Sequence, residues 1–197
     1  MNDEQIRASL EECQAIRQGH FKLTSGLHSD TYIQCARILE HPGLTNDLAR
    51  EAVARLPDEL QIDLVAAPAV GGILFGFAVA AALDTDFIFS ERAEGSMVFR
   101  RSFTVEEGSK VLVCEDVVTT GGSVSELIEL IKAAKGQVVA VVSMVDRGRN
   151  PEFGCPYYPL ITLKTPSWQP ENCILCQSGQ KITAPGSREL AKKAVKP

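Results

Sequence analysis

Short apolar segments alternate along this chain with segments of helical length, and this alternation constrains the fold more than any other feature. In the middle of the sequence, strands are predicted at 64–67, 87–89, 111–113 and 138–145, and helices at 44–57, 71–83 and 123–135. Parallel strands that are neighbours in one sheet need crossover connections, which are usually helices. We therefore expect an α/β fold with a central, mostly parallel sheet flanked by helices.

The two ends of the chain differ from this middle part. Apolar residues at helical spacing predict a helix over 3–17, and extended segments at 20–23 and 31–38 then indicate a small N-terminal lobe or hairpin. After residue 150, Pro and Gly are frequent, and one strand is predicted around 160–163. The expected organisation is an N-terminal helix and lobe (1–40), an α/β core (41–165) and a C-terminal tail (166–197).

Charge and composition exclude several classes of protein. The 20 Lys and Arg against 25 Asp and Glu give a net charge of −5, which argues against a large nucleic-acid footprint. The sequence has no apolar run of the roughly 20 residues that a membrane span needs and no signal-peptide pattern. Its six cysteines without a secretory context indicate reduced thiols. We expect a cytoplasmic protein that binds neither membrane nor nucleic acid.

Two of the cysteines, in Cys173-x-x-Cys176, have the spacing of a metal-binding pair. A structural zinc site usually needs four ligands, and the sequence offers no second pair of matching spacing. This favours two thiols in a C-terminal turn over a zinc site.

The strand predicted at 111–113 runs into an unusual polar segment. Glu115 and Asp116 are followed by Thr119–Ser123, here called the phosphate loop, whose sequence is Thr-Thr-Gly-Gly-Ser. Backbone N–H groups, hydroxyls and the N-terminus of a helix are the parts of a phosphate-binding site. The two acids would repel phosphate, so sugar hydroxyls or a divalent cation suit them better. The alternative is a helix cap without a ligand, in which Ser123 is the N-cap.

This segment closely resembles the phosphoribosyl pyrophosphate signature of the type I phosphoribosyltransferases. The resemblance implies that fold, with a hood lobe, and a role for Glu115 and Asp116 at the ribose hydroxyls, both in catalysis and in binding. It also implies Mg²⁺, which the substrate and water mainly hold without a direct protein ligand, and a diphosphate leaving group. The phosphoribosyl pyrophosphate site would then comprise Glu115, Asp116, Val117, Val118, Thr119, Thr120, Gly121, Gly122, Ser123, Gly71, Gly72 and Arg92.

The base is indicated by a second resemblance. The stretch from Phe21 to Tyr32 resembles the F-x-L-x-S-G-x-x-S-x-x-Y element of orotate phosphoribosyltransferases. It implies that Tyr32 and Ile33 lie against the orotate ring. Arg147, after the strand at 138–145, matches the arginine that binds orotate in that family, and a cation suits the orotate carboxylate. Thr119 matches a position that also reaches the base.

Two further segments match the same family. Pro68-Ala69-Val70-Gly71-Gly72 aligns with its pyrophosphate loop, although tight packing of a helix on the sheet would also explain the glycines. Residues 91–101 resemble its mobile lid, with Arg92 as a catalytic cation and Arg100 and Arg101 as further lid cations.

The chain departs from well-known family members in its cations. They have lysine where this chain has Thr24 and Gly71, and their lid carries a lysine and a histidine. The chain instead resembles a branch with an Arg-Arg lid and a Cys-x-x-Cys tail followed by Pro185-Gly186-Ser187-Arg188. The sequence does not indicate which groups replace the lysines.

Together these resemblances imply an orotate phosphoribosyltransferase of pyrimidine (UMP) biosynthesis. It would transfer the phosphoribosyl group of 5-phosphoribosyl 1-diphosphate to orotate, giving orotidine 5'-monophosphate and diphosphate, and would act as a homodimer. A phosphoribosyltransferase for a purine or uracil is one alternative, which the 21–32 element and Arg147 oppose. A non-catalytic phosphoribosyl pyrophosphate-binding regulator is another, which the absence of a DNA-binding domain or basic stripe opposes.

Overall fold

The computed structural model describes residues 1–23 and 25–185. In chain order its helices are α1 (Asp3–Glu12), α2 (Ala36–Leu39), α3 (Pro42–Ala54), α4 (Gly71–Leu83), α5 (Gly122–Ala133) and α6 (Ile174–Gln177). Its strands are β1 (Ile16–Lys22), β2 (His28–Ile33), β3 (Leu64–Pro68), β4 (Asp86–Ala93), β5 (Ser96–Phe99), β6 (Lys110–Val118), β7 (Gln137–Asp146) and β8 (Tyr157–Thr162).

The chain divides into two compact units. The core unit contains residues 1–9 and 35–164, and the hairpin unit contains residues 10–34 and the C-terminal segment from 165. In the described residues no helix is both long enough and apolar enough to cross a bilayer.

The core unit is built on a six-stranded sheet in the order β5-β4-β3-β6-β7-β8. All pairs are parallel except β4 with β5, so the prediction of a mostly parallel sheet between helices is confirmed. Every residue of β3 is buried, as expected for a strand in the middle of a sheet that is covered on both faces. The carboxyl ends of β3, β6 and β7 therefore lie side by side at one edge.

Two helices fix the positions of the loops at that edge. Helix α5 buries Val124, Leu127, Ile128 and Ile131, which lie three or four residues apart on one face. Burial of each aliphatic side chain stabilises the fold by about 1.5–3 kcal/mol as an upper estimate. Helix α4 packs tightly, since a Cβ at Gly76 would lie 2.7 Å from the Phe87 ring. Both helices begin at the carboxyl end of a strand, which places their N-termini at the same edge.

The hairpin unit consists of the antiparallel strands β1 and β2 and the described part of the C-terminal segment. The strand register shifts between Gln18 and Phe21, which marks a β-bulge. Two isolated bridges, Phe21 with Thr183 and His28 with Trp168, attach the C-terminal segment to the hairpin. This unit therefore joins parts of the chain that are far apart in sequence.

Several predicted boundaries are wrong, for local reasons. The first helix ends at Glu12 rather than Arg17, because Gln14 takes a positive φ of 55° and Ile16 starts β1. The extended segment predicted at 31–38 stops at Ile33 and is followed by α2.

The segment 91–101, which resembles a mobile lid in sequence, contains the end of β4 and all of β5. Glu94 and Gly95, with φ of 51° and 88°, form a two-residue turn between β4 and β5. Positive φ at both central residues is characteristic of a type I′ hairpin turn, which lets β5 pair with β4.

Candidate active site

The candidate site lies where the carboxyl ends of three adjacent parallel strands meet. Pro68 ends β3, Val118 ends β6 and Asp146 ends β7. Val118 pairs with Asp146, and the N–H of Arg147 donates to the carbonyl oxygen of Val118 at 2.9 Å. The start of the phosphate loop and the backbone of Arg147 are thus held together. Ligands of open α/β sheets bind at such an edge.

The phosphate loop borders a cavity of about 200 Å³. Helix α5 begins at Gly122, and among the described residues no side chain caps it. The N–H groups of the first helical turn have no carbonyl partner within a helix, and the helix dipole adds partial positive charge there. Ser123 is the second residue of the helix, so the alternative in which it is the N-cap is wrong. The cavity is lined by Glu115, Val117, Val118, Thr119, Thr120, Gly121, Gly122, Ser123, Val124 and Glu126.

The two glycines of this loop meet different structural requirements. Gly121 has a φ of 81°, and a Cβ there would lie 2.8 Å from the Phe153 ring and 2.9 Å from Cβ of Pro151. The fold itself therefore requires glycine at 121. A Cβ at Gly122 would have only the Thr120 hydroxyl oxygen near it, at 3.8 Å. Packing within the described residues therefore does not require glycine at 122. The absence of a side chain there leaves open space at the helix N-terminus.

The two acids at the end of β6 differ in exposure. Glu115 is 8% exposed, whereas Asp116 is half-buried. Burial, together with the neighbouring Asp116 charge, raises the pKa of Glu115 well above its usual value. Each carboxylate also accepts a local backbone N–H: Glu115 Oε1 from Asp116 at 3.1 Å, and Asp116 Oδ1 from Val117 at 2.8 Å. The pair thus presents one carboxyl that holds its proton more strongly and one that is more accessible to solvent.

These acids lie directly against the pyrophosphate loop. A Cβ at Gly71 would be 2.6 Å from both carboxylate oxygens of Asp116, and one at Gly72 would be 3.2 Å from Glu115 Oε1. The carboxylate of Asp116 therefore occupies the space that a side chain at 71 would need.

Arg92 lies beside the phosphate loop. Its guanidinium donates to Glu126 at 2.9 Å and to the carbonyl oxygen of Gly95 at 2.7 Å, and Glu126 lines the cavity. The hydrogen bond to Glu126 raises the pKa of Arg92. The side chains of this pair are 46% and 44% exposed, and solvent screens ion pairs of this kind, so the pair contributes little to stability. An incoming anion can therefore displace Glu126 from Arg92 at little cost.

The other predicted lid cations lie farther along the β4–β5 hairpin. Arg100 is exposed just after β5. Arg101 donates to Glu91 at 3.1 Å, and its guanidinium carbon lies 5.7 Å from the centre of the Phe89 ring. The residues that resemble a lid thus belong to the β4–β5 hairpin and the two residues that follow it.

The predicted base-contacting residues of the N-terminal lobe lie in the hairpin unit. Tyr32 is half-buried, with its ring 5.6 Å from that of Phe21, and Ile33 is buried opposite Ile16. Thr24 and the Gly186–Arg188 part of the tail motif lie outside the described residues.

Sequence reasoning missed two acids at the site. Glu126 lies four residues after Gly122, the first residue of α5, so the two residues share one face of the helix. From this face the Glu126 carboxylate binds the Arg92 guanidinium. Asp146 is 3% exposed, and its Oδ1 accepts the N–H of Gly148 at 3.0 Å, which shapes the turn that carries Arg147. The position of Asp146, an acidic residue at the end of a buried strand, is the sequence signal that could have identified it as a site residue.

Comparisons with known proteins agree with this geometry. Residues 34–154 match the model of the phosphoribosyl transferase domain. A curated orotate phosphoribosyltransferase from Heliobacterium modesticaldum is 45% identical over 190 residues, which cover 95% of this chain and 100% of the relative.

Solved structures show the same fold. An orotate phosphoribosyltransferase from Aeropyrum pernix has a TM-score of 0.68 at 24% identity, over 88% of this chain and 98% of that one. An adenine phosphoribosyltransferase from Thermoanaerobacter pseudethanolicus has a TM-score of 0.62 at 22% identity, over 78% and 99%. The fold is therefore shared by enzymes named for different bases, and the fold alone does not identify the acceptor.

Proposed function

The chain belongs to the phosphoribosyl transferase family, and from this premise we propose that it is an orotate phosphoribosyltransferase. It transfers the phosphoribosyl group of 5-phosphoribosyl 1-diphosphate to orotate, giving orotidine 5'-monophosphate and diphosphate in pyrimidine biosynthesis. The observation that carries the proposal is the 45% identity to a curated orotate enzyme along almost the whole chain.

Arg147 supports orotate as the acceptor. Its backbone is fixed to the start of the phosphate loop by the hydrogen bond from its N–H to Val118. A guanidinium at this edge suits the carboxylate of orotate, which adenine and uracil lack, because a planar fork of donors matches a carboxylate.

The phosphate loop supports binding of the 5-phosphate. The N–H groups at the start of α5 and the hydroxyls of Thr119, Thr120 and Ser123 are donors, and the absence of a side chain at Gly122 lets a phosphate approach closely. A phosphate bound at this loop fixes the ribose next to Glu115 and Asp116. Catalysis then consists mainly of positioning and charge stabilisation.

The two acids have distinct roles at the ribose. Because its pKa is raised, Glu115 keeps its proton to higher pH and can donate a hydrogen bond to a ribose hydroxyl. The more exposed Asp116 accepts from a hydroxyl and, as an anion, favours positive charge on the ribose ring. The bond from C1 to the diphosphate oxygen breaks while a ring nitrogen of orotate bonds to C1. No covalent nucleophile from the protein is needed.

We propose Mg²⁺ as the cofactor, held mainly by the substrate and by water. The half-buried carboxylate of Asp116 suits an acceptor for the water molecules of such an ion, which prefers oxygen ligands. When bound, the ion neutralises charge on the diphosphate. Arg92 is the cation of this chain that stabilises the same leaving group.

We also propose that the protein is a cytoplasmic homodimer. Val70, Leu74 and Phe77 follow one face at the start of α4 and are 82%, 54% and 61% exposed. A contiguous apolar face on the surface is typical of a protein contact. None of the six cysteines forms a disulfide, which supports a reducing compartment. Light scattering at several protein concentrations tests the dimer.

An acceptor panel tests the proposed function. The purified protein is mixed with Mg²⁺ and phosphoribosyl pyrophosphate, and orotate, uracil, hypoxanthine and adenine are supplied in separate reactions. Diphosphate and nucleotide formation with orotate alone is the expected result. Turnover with another base in place of orotate would reject orotate as the substrate, and binding of phosphoribosyl pyrophosphate without any turnover would point to a regulator.

A further inference from the structure

Four metal-ligating side chains come together in the hairpin unit, outside the site described above. They are His20 at the end of the bulge in β1, His28 at the start of β2, and Cys173 and Cys176 around the start of α6. One ligand atom from each lies within 4.8 Å of the ligand atoms of the other three. The two histidines therefore supply the second pair of ligands that the Cys-x-x-Cys motif lacks in the sequence.

Four of the six distances among these atoms are close to the edges of a zinc tetrahedron, and the other two are no longer than 4.8 Å. The Nε2 of His20 lies 3.2 Å from Nδ1 of His28, 3.4 Å from Sγ of Cys173 and 3.7 Å from Sγ of Cys176. The Sγ of Cys176 also lies 3.3 Å from Nδ1 of His28. Zinc bonds of about 2.0 Å to nitrogen and 2.3 Å to sulfur give tetrahedral edges of about 3.3 Å between two nitrogens and about 3.6 Å between nitrogen and sulfur.

Hydrogen bonds outside the cluster orient both histidines. The Nδ1 of His20 lies 2.8 Å from the carbonyl oxygen of Gln180, so this nitrogen carries the proton and the lone pair of Nε2 points into the cluster. The backbone of His28 exchanges two hydrogen bonds of 2.9 Å with Trp168, which fixes the start of its side chain. Metal-binding histidines commonly have such supporting contacts.

Direct hydrogen bonds do not account well for this arrangement. Three groups converge on the single lone pair of His20 Nε2, which accepts one good hydrogen bond, and thiols are weak donors. His20, His28 and Cys173 are at most 7% exposed, so imperfect pairing would be costly. A cation at the centre satisfies all four groups together. Cys176 is exposed and provides an entry path for it.

We propose that His20, His28, Cys173 and Cys176 bind one structural Zn²⁺ ion. Two imidazoles and two thiolates in a tetrahedron are a typical zinc ligand set, and four protein ligands leave no open position for catalysis. The ion ties the β1–β2 hairpin to a segment that is about 150 residues away in sequence. Because only the folded chain brings the four ligands together, the binding free energy of the ion stabilises the folded state.

Metal analysis of the intact protein tests the proposal. Protein purified without chelator or affinity histidines is expected to contain about one zinc per chain. Cys176→Ser removes the exposed ligand and is expected to lower the zinc content at least fivefold after dialysis. The control variants Cys155→Ser and His41→Gln change a cysteine and a histidine outside the cluster and are expected to retain the ion. Zinc content below a tenth of an equivalent in the wild type, or full retention by Cys176→Ser, would overturn the proposal.

Cobalt substitution keeps the test independent of folding defects in the variants. Wild-type protein is stripped with a chelator, refolded with Co²⁺ and followed by absorbance. Thiolate charge-transfer bands and the visible bands of tetrahedral cobalt are expected, as is a lower Tm for the stripped protein that zinc restores. A Cys173–Cys176 disulfide in the native protein, or iron in place of zinc, would contradict the assignment. These readouts need no turnover, so failure of the proposed function would leave them unaffected.

Discussion

Replacing each glycine of the phosphate loop with alanine separates folding from ligand binding. At Gly121 alanine must adopt a φ of 81°, which costs about 1–2 kcal/mol. Its Cβ would also lie 2.8 Å from the Phe153 ring, and overpacking of this kind costs about 1–3 kcal/mol. The sum of about 2–5 kcal/mol lowers Tm by about 4–20 °C for a chain of this size.

At Gly122 the same change meets open space, with the nearest atom 3.8 Å away. The free energy of unfolding is expected to change by less than about 1 kcal/mol. The new methyl group lines the cavity, however, and it would displace the 5-phosphate from at least one charge-assisted hydrogen bond. Such a bond contributes about 1.5–3 kcal/mol, so the KM for phosphoribosyl pyrophosphate is expected to rise by about 10- to 100-fold.

Thermal unfolding and steady-state kinetics of the two variants measure both effects. Gly122→Ala is expected to unfold at the wild-type temperature and to bind phosphoribosyl pyrophosphate poorly. A KM within twofold of the wild-type value would refute the placement of the phosphate at the start of α5. A large loss of stability in Gly122→Ala would refute the reading of open space at this position.

Four further changes test the roles of single side chains. Asp116→Asn is expected to lower kcat by about a hundredfold with an unchanged Tm, and kcat within threefold of wild type would remove Asp116 from the chemistry. Arg147→Ala is expected to raise the KM for orotate at least tenfold and to leave the KM for phosphoribosyl pyrophosphate unchanged. The control variant Arg149→Ala, at an exposed arginine, is expected to change neither KM. An equal rise in both KM values for Arg147→Ala would show that Arg147 does not bind orotate. Arg92→Ala is expected to lower kcat without a change in the KM for orotate, which rapid-quench and steady-state assays resolve. The folded state holds the Glu115 proton to higher pH than the unfolded state, so wild-type stability falls as the pH rises above about 4.5. The Tm of Glu115→Gln is therefore expected to fall less than the wild-type Tm between about pH 5 and about pH 8. Parallel Tm curves for the two proteins would contradict the raised pKa.

The parts of the fold that the sequence predicts are those set by local pattern. Strands β3 and β7 and helix α4 were predicted within a residue or two, because each is a long or fully apolar segment. The phosphate loop was predicted from residue types whose backbone chemistry is local. Its two glycines look equivalent in sequence, and only the position of Phe153 shows that one is required by the fold.

The features that the sequence did not reveal depend on pairing and on distant contacts. β5 is short and lies within the predicted lid, and Glu94-Gly95 is not one of the dipeptides, such as Asn-Gly or Asp-Gly, that indicate a hairpin turn in a sequence. The relation of Asp116 to Gly71 needs the register of β3 against β6, which no local pattern specifies.

The histidine and cysteine cluster was missed for the same reason. His20 and His28 are separated by a loop and a β-bulge, so their spacing is unlike that of a known zinc motif. Their partners lie near the other end of the chain, and only the folded hairpin unit brings the two pairs together. Long-range ligand sets of this kind are visible in a structure and not in a spacing pattern.

A crystal structure of the protein with orotate and a non-reactive analogue of phosphoribosyl pyrophosphate would locate both substrates directly. We expect the 5-phosphate within hydrogen-bonding distance of the N–H groups of residues 120–123, the ribose hydroxyls at Glu115 and Asp116, and the orotate carboxylate on Arg147. Density for the phosphate or the orotate away from the carboxyl ends of β6 and β7 would contradict this expectation.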